Sequence, residues 1–201
     1  MNFHTLQNLS DEDLFQAFRK GDADAFELLL SRHKRPLFNF LYKILGHTEA
    51  AEEALQEVFL RVIKSADDYR PSAKFSTWLY TIARNFSIDF GRKQKFRRHL
   101  SLDSREDDDS EPLQSVFASK GASSDEQVSA QQEERFLYAA LDELAPEQKE
   151  VFLLRETQGL QFDEIAKITK VSVNTVKSRM RYALIAIQTR FQELGIFGVT
   201  L

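Results

Sequence analysis

The sequence predicts an all-α protein: two helical domains joined by a flexible acidic linker, with a helix-turn-helix in the C-terminal domain. Three observations lead there. Apolar residues recur at i, i+3 and i+4 along most of the chain, and period-2 runs typical of strands are scarce. Proline and glycine are few (4 and 7) and mostly fall between the periodic segments. A stretch rich in Ser, Asp and Glu, without sustained amphipathic period, separates two periodic halves. The expected boundaries are 1–99, 100–130 and 131–201.

Each element has a local reason. Ser10 followed by Asp13 resembles a capping box for a first helix that ends near Gly21. A second helix starts around Asp22–Asp24 and carries Phe26, Leu29, Leu30, Leu37, Phe40, Leu41 and Ile44 to a stop at Gly46. Pro36 inside it is expected to kink or split it. Thr48 can cap a third helix through Ile63, with Leu55, Val58, Phe59 and Val62 on one face. Pro71 disfavours helix at Arg70, so 67–75 reads as a loop, after which Ser76 or Thr77 can cap a fourth helix. Beyond the linker, "EERFLYAALDEL" is amphipathic, and Pro146 suits the first turn of the next helix, which ends before Gly159. Two further helical patterns follow, Phe162 to Ile168 and a longer one from Val173 that stops at Gly195.

The net charge of −4 hides strong segregation. Residues 81–99 hold six Lys or Arg against Asp89, and residues 165–192 hold six with no acid, whereas 100–130 hold eight acids against Arg105 and Lys120. Two basic patches flanking an acidic stretch point to a nucleic-acid partner. With no cysteine, disulfides and Cys-ligated zinc are excluded. The first residues lack the basic start and apolar run of a signal peptide, and no apolar run nears the ~20 residues that span a bilayer, so a soluble cytoplasmic protein is expected. His4, His33, His47 and His99 are scattered, and neither a phosphate-binding glycine loop nor an HExxH pattern is present. An enzyme is not expected, and neither is a cofactor or a metal.

Two segments carry the chemistry. In 161–188, a short helix, the turn "TKVS" and a second helix capped by Ser172 have the layout of a helix-turn-helix, with Val173, Val176, Met180 and Leu184 recurring inward. Short polar residues at the start of the second helix suit base edges, and its cations suit phosphates. An ordinary αα-hairpin with a solvated basic face has the same spacing, although the absence of acids disfavours it. In "FSTWLYTIARNFSIDFGRKQKFRR", Leu79, Ile82, Phe86 and Phe90 form a core stripe. Trp78, Asn85, Asp89 and Arg92 lie on an adjoining face, and Tyr80, Arg84 and Ser87 lie off the stripe. A ring, an amide and several cations together suit unpaired bases, since each base stacked on a ring is worth ~1–3 kcal/mol. Trp78 could equally fill the edge of the core.

The motifs "AEEALQEVFLRVI…FSTWLYTIARNFSIDFGRK" and "LDELAPEQKEVFLLRETQGLQFDEIAKITKVSVNTVKSRMRYAL" closely resemble the extracytoplasmic-function (ECF) sigma factors of bacterial RNA polymerase, within the sigma-70 superfamily. The resemblance runs through nearly the whole chain in order. It implies a non-enzymatic subunit that gives core RNA polymerase its promoter specificity. The front domain would bind the clamp helices of the largest subunit and melt the −10 element. The rear domain would bind the flap of the other large subunit and read the −35 element as duplex. An anti-sigma factor is a possible further partner. By motif, Glu53, Gln56, Glu57 and Arg61 correspond to the core-docking helix. The loop ending at Lys74 corresponds to the one that captures a flipped −10 base. Trp78, Arg84, Asn85 and Asp89 correspond to the melting helix, with Arg92 and Lys93 near phosphates. Ser172, Asn174, Thr175, Lys177, Ser178, Arg179 and Arg181 correspond to the reading helix. The chain departs from the family pattern at Ala51 and Glu53 in the docking segment, at Lys170 where the turn usually has glycine, and at Asn174. A positive φ at Lys170 would carry strain of order 1 kcal/mol. The acidic linker could fold the basic domains back, mimic nucleic acid, or serve as a tether.

Overall fold

The computed structural model describes residues 6–70, 73–100 and 136–194, giving only the helical course for 94–100. All regular elements among the described residues are helical. The acidic segment 101–130 and Gly195 lie outside them. No described helix is long and apolar enough to cross a membrane.

The front half is a bundle of α1 (Asp11–Arg19), α2 (Ala23–Leu45), α3 (Thr48–Lys64) and α4 (Phe75–Leu100), with a 3-10 turn at Ala66–Asp68. Ser10 caps α1 as expected, its Oγ accepting from the Asp13 N–H at 3.1 Å. Asp22 caps α2, and Gly46 ends it at φ 82°, a conformation that glycine adopts without steric cost. Pro36 does not split α2, which is continuous from Ala23 to Leu45. Leu29 on one side of it and Leu37, Phe40 and Leu41 on the other are all buried, and their packing offsets the one hydrogen bond a proline removes. The cap of α3 is His47, not Thr48, and it makes no side-chain capping bond.

The start of α4 is also not capped by its own residues. Ser76 and Thr77 already lie inside the helix, and the Phe75 N–H donates 2.8 Å to Glu12 Oε1 of α1. A carboxylate borrowed from another helix thus satisfies a donor that the sequence assigns to a local hydroxyl. Around this junction Phe15 packs against Phe75 and Tyr69 (5.1 Å each) and Trp78 (5.2 Å). Such ring pairs add to the ~1.5–3 kcal/mol from burying each large apolar side chain. Arg32 ties the N-terminal turn down by donating to Gln7 O, Leu9 O and Asp11 Oδ1. His33 Nε2 lies 2.6 Å from Asp11 Oδ2, and this bond, followed by Arg32, holds the Asp11 carboxyl below its usual value against the opposing effect of burial.

The rear half comprises α5 (136–142), α6 (Pro146–Phe152), α7 (Phe162–Thr169) and α8 (Val173–Glu193). Pro146 opens α6 as expected, but the helix then widens into a π-helical turn, Leu153–Thr157, before Gly159 (φ 66°). That turn buries Leu153 and Leu154 in succession, which no simple helical period anticipates. α7 carries a capping box between Gln161 and Glu164. Lys170 takes the left-handed conformation (φ 57°), so the condition for backbone strain at this turn is met.

Candidate nucleic-acid interface

On α8, Ser172 Oγ accepts from the Thr175 N–H at 3.1 Å and lies 2.9 Å from Thr175 Oγ1. These two hydroxyls therefore form the cap. Val176, Met180, Ala183, Ile187 and Phe191 are buried against the rest of the rear domain, while Val173 and Leu184 are half-buried. Asn174, Lys177, Ser178 and Arg181 are exposed, and together they make an amide-and-cation surface at the N-terminal end of the helix. Arg179 is half-buried, and its charge favours the ionised form of Glu150. Of the seven expected reading residues, five are thus exposed, Ser172 among them as the helix cap, while Thr175 and Arg179 are half-buried.

The front candidates divide differently. Trp78 is half-buried within the ring cluster, 5.1 Å from Tyr69 and 6.1 Å from Phe75, so its core-edge role is real and one part of it remains accessible. Tyr69 itself is buried, donates 2.7 Å to Ala73 O and so ties back the loop before α4; burial, Glu12 and Asp11 push its pKa up to about 12. Asn85 is half-buried. Asp89, Arg92 and Lys93 are exposed and line, with Glu53, Arg61, Phe86 and Phe90, a cleft of about 470 Å³ between α3 and α4. Arg61 is held by Glu57 at 2.9 Å and lies over the Phe86 ring, so residues expected to dock polymerase and residues expected near phosphates share one groove. Glu53 and Gln56 are exposed on the same α3 stripe as Leu60 (47% exposed) and Ile63 (42%). The sequence reading missed those two apolar residues. Their spacing of three, off the Leu55–Val62 stripe, was the available signal.

Lys74 and Arg84 meet carboxylates of the rear half. Lys74 Nζ lies 3.0 Å from Glu164 Oε1, and Arg84 Nε lies 2.8 Å from Glu150 Oε1. Thr77 donates to Glu164 at 3.4 Å, and Tyr80 donates to Gln158, whose amide in turn donates to Pro36 O at 3.4 Å. α4 is therefore covered on a second face. Thr77, Tyr80 and Ser87 are buried, which corrects the reading that Tyr80 and Ser87 lie outside the core. The cause is tertiary: α6, the π turn and α7 close over this stripe. Burial opposes the charge on Glu164, but the Gln161 N–H, Lys74 and Thr77 together hold its pKa below the ordinary value. For Glu150 burial wins over Arg84 and the pKa is raised. Among the described residues no group of three His, Asp or Glu is arranged to hold a metal.

Comparison with known proteins accounts for both halves. Residues 29–97 match the model for Sigma-70 region 2, and residues 137–187 match that for Sigma-70, region 4. The chain is 30% identical over 190 residues to the ECF RNA polymerase sigma-E factor of Escherichia coli, covering 94% of this chain and 97% of that protein. It is 33% identical over 164 residues to the RNA polymerase sigma factor CarQ of Myxococcus xanthus, covering 82% and 87% respectively. The fold is similar to that of CnrH solved in complex with the cytosolic domain of CnrY, with a TM-score of 0.65 and 20% identity over 91% of this chain and 97% of that one.

Proposed function

The chain belongs to the ECF sigma factors of the sigma-70 family, promoter-recognising subunits of RNA polymerase, and from that premise we propose how its two halves divide the work. The rear domain docks α8 in the major groove of the −35 element. Asn174 and Ser178 face base edges, and Lys177 and Arg181 face phosphates. The front domain engages core polymerase through the α3 stripe of Glu53, Gln56, Leu60 and Ile63, with Glu57 and Arg61 beside it. Its α4 then takes unpaired bases of the −10 element. Trp78 offers a ring edge and Asn85 an amide, Asp89 sits beside them, and Arg92, Lys93, Lys74 and Arg84 attract the backbone. Extruding a base costs a few kcal/mol, which stacking and polymerase contacts must offset.

The observation that carries this reading is the exposed surface of Asn174, Lys177, Ser178 and Arg181 on a helix free of acids from its start to Gln192. A helix exposed only to water usually mixes signs, whereas a phosphate partner selects one. The polymerase clamp helices and flap, assigned by family likeness, remain the proposed protein partners. An anti-sigma factor is a further proposed partner. Run-off transcription with core polymerase on a pool of random promoters tests the assignment. Specific starts are expected with the wild-type chain. Asn85→Ala should slow open-complex formation, and normal opening by both Asn85→Ala and Trp78→Ala would refute the role given to α4.

A further inference from the structure

We infer that Tyr182, with Ile185 one turn beyond it, is a specificity-determining residue that reads the C5-methyl group of a thymine in the −35 element. The inference rests on the function proposed above for α8 and adds to it one named feature of one base.

Tyr182 and Ile185 are 51% and 52% exposed, more than any other large apolar side chain among the described residues. They are not displaced members of the core. Val176, Met180, Ala183 and Ile187 make the buried side of α8, and at 3.6 residues per turn Tyr182 and Ile185 fall on the opposite side. Asn174, Ser178 and Tyr182 follow one another at steps of four, so the apolar pair continues the stripe proposed to face base edges. A single exposed apolar residue is ordinary, whereas two adjoining ones that prolong a polar stripe mark a surface of contact. Charge indicates the partner. From Val173 to Gln192 the helix carries Lys177, Arg179, Arg181 and Arg190 and no acid, which suits a polyanion.

Dimensions bring the ring within the groove. Asn174 and Tyr182 are eight residues apart, or ~12 Å at ~1.5 Å per residue. The major groove is ~12 Å wide. A helix that presents Asn174 and Ser178 to base edges therefore carries Tyr182 to the far wall, and Ile185, a further ~4.5 Å along, to the rim. Among the donors and acceptors of that groove, the thymine C5-methyl is the apolar feature. Amides, hydroxyls and cations gain little by covering it, and an aromatic ring gains by burial. The Arg181 guanidinium lies over the Tyr182 ring, 5.2 Å from its centroid. That stack takes one face of the ring and restrains both side chains, leaving the ring edge and the other face for the base while the cation meets the neighbouring phosphate. A Tyr182 that served only as a platform for Arg181 would leave binding equally sensitive to thymine methyl groups with or without the ring, and the two roles separate on that point.

The test uses holoenzyme reconstituted with core polymerase and a duplex promoter taken from the random pool. Each thymine of its −35 element, on either strand, is replaced in turn by deoxyuridine, which removes only the methyl group. Wild-type holoenzyme is expected to lose about fourfold in affinity at one position, the worth of one buried methyl group. Tyr182→Phe keeps the ring and its stack with Arg181 and should keep that loss. Tyr182→Ala should abolish it, so that the two duplexes bind alike. Any change in duplex shape caused by the missing methyl is common to all three chains and drops out of the comparison. Tyr182 is exposed, so the alanine variant is expected to unfold at the wild-type urea midpoint. If it loses helicity, Tyr182→Gln takes its place. Wild-type holoenzyme that nowhere distinguishes thymine from deoxyuridine overturns the inference. So does a methyl dependence that survives loss of the ring, which would leave Tyr182 as a platform for Arg181 only. Absence of any specific start in the run-off assay is a different failure: it overturns the proposed function, and this inference with it.

Discussion

Arg84 and Arg181 are the same side chain in opposite circumstances. Arg84 is mostly covered and paired with Glu150, whereas Arg181 is exposed on the outer face of α8 with its guanidinium over the Tyr182 ring. The contrast extends to their regions. On α8 most candidate residues are exposed, and only its cap and the half-buried Arg179 are committed to the fold. On α4 most candidates also serve the fold: Trp78 fills a ring cluster, Lys74 and Arg84 close a seam, and Asn85 is half-buried. A duplex-reading helix needs only to be rigid and exposed. The helix proposed to capture strands, α4, is also packed on several sides, so changes to it mix stability with recognition.

The largest break in that symmetry should come from Phe15→Ala. Phe15 contacts Tyr69, Phe75 and Trp78 and is fully buried, so its loss should cost about 3–5 kcal/mol in urea unfolding and impair every activity that uses α4. Smaller and sharper effects belong to α8. Asn174→Ala should change base preference at one −35 position by about 1–3 kcal/mol, read by competitive binding, without moving the unfolding midpoint. Arg181→Ala should weaken binding to all sequences alike and reduce the salt dependence by ~0.9 in log–log slope, as for loss of one phosphate contact.

The seam carries a pH signature of two signs. Glu164, with its pKa lowered in the fold, contributes stability above the ordinary carboxylate value of ~4.3 that is lost as pH falls through its lower folded value. Glu150, with its pKa raised, contributes below that ordinary value and loses the contribution as pH rises through its folded value. Glu164→Gln and Glu150→Gln should therefore alter the acid-unfolding profile in opposite directions; shifts of the same sign would show that the two carboxylates are not held as described. The smallest expected effect is at the turn. Lys170→Gly should relieve the left-handed strain and raise the rear domain's midpoint by about 1 kcal/mol or less, with base preference unchanged.

Much of this was legible from local spacing. Ser10 and Ser172 cap the helices they were expected to cap, because a hydroxyl three residues ahead of an open N–H is a local relation. The helix-turn-helix and its acid-free reading face follow from the same kind of evidence. Thr48, Ser76 and Thr77 misled for the converse reason. They are good caps by type, but the chain places His47 and, through space, Glu12 at those ends. Tyr80 and Ser87 misled because a single apolar stripe on α4 was taken as its whole buried surface, when a polar stripe is buried too.

Sequence alone determined the helices, their segregation of charge, the reading motif and the family, since these depend on residues within a few turns of one another. Only the tertiary structure decided that Glu12 caps α4, that Glu150 and Glu164 take up Arg84 and Lys74, and that Gln158 joins Tyr80 to α2. Those partners come from elements far apart along the chain. Helical periodicity tells which side of a helix is covered, but a carboxylate's spacing within its own helix says nothing of the cation it will meet across a domain boundary.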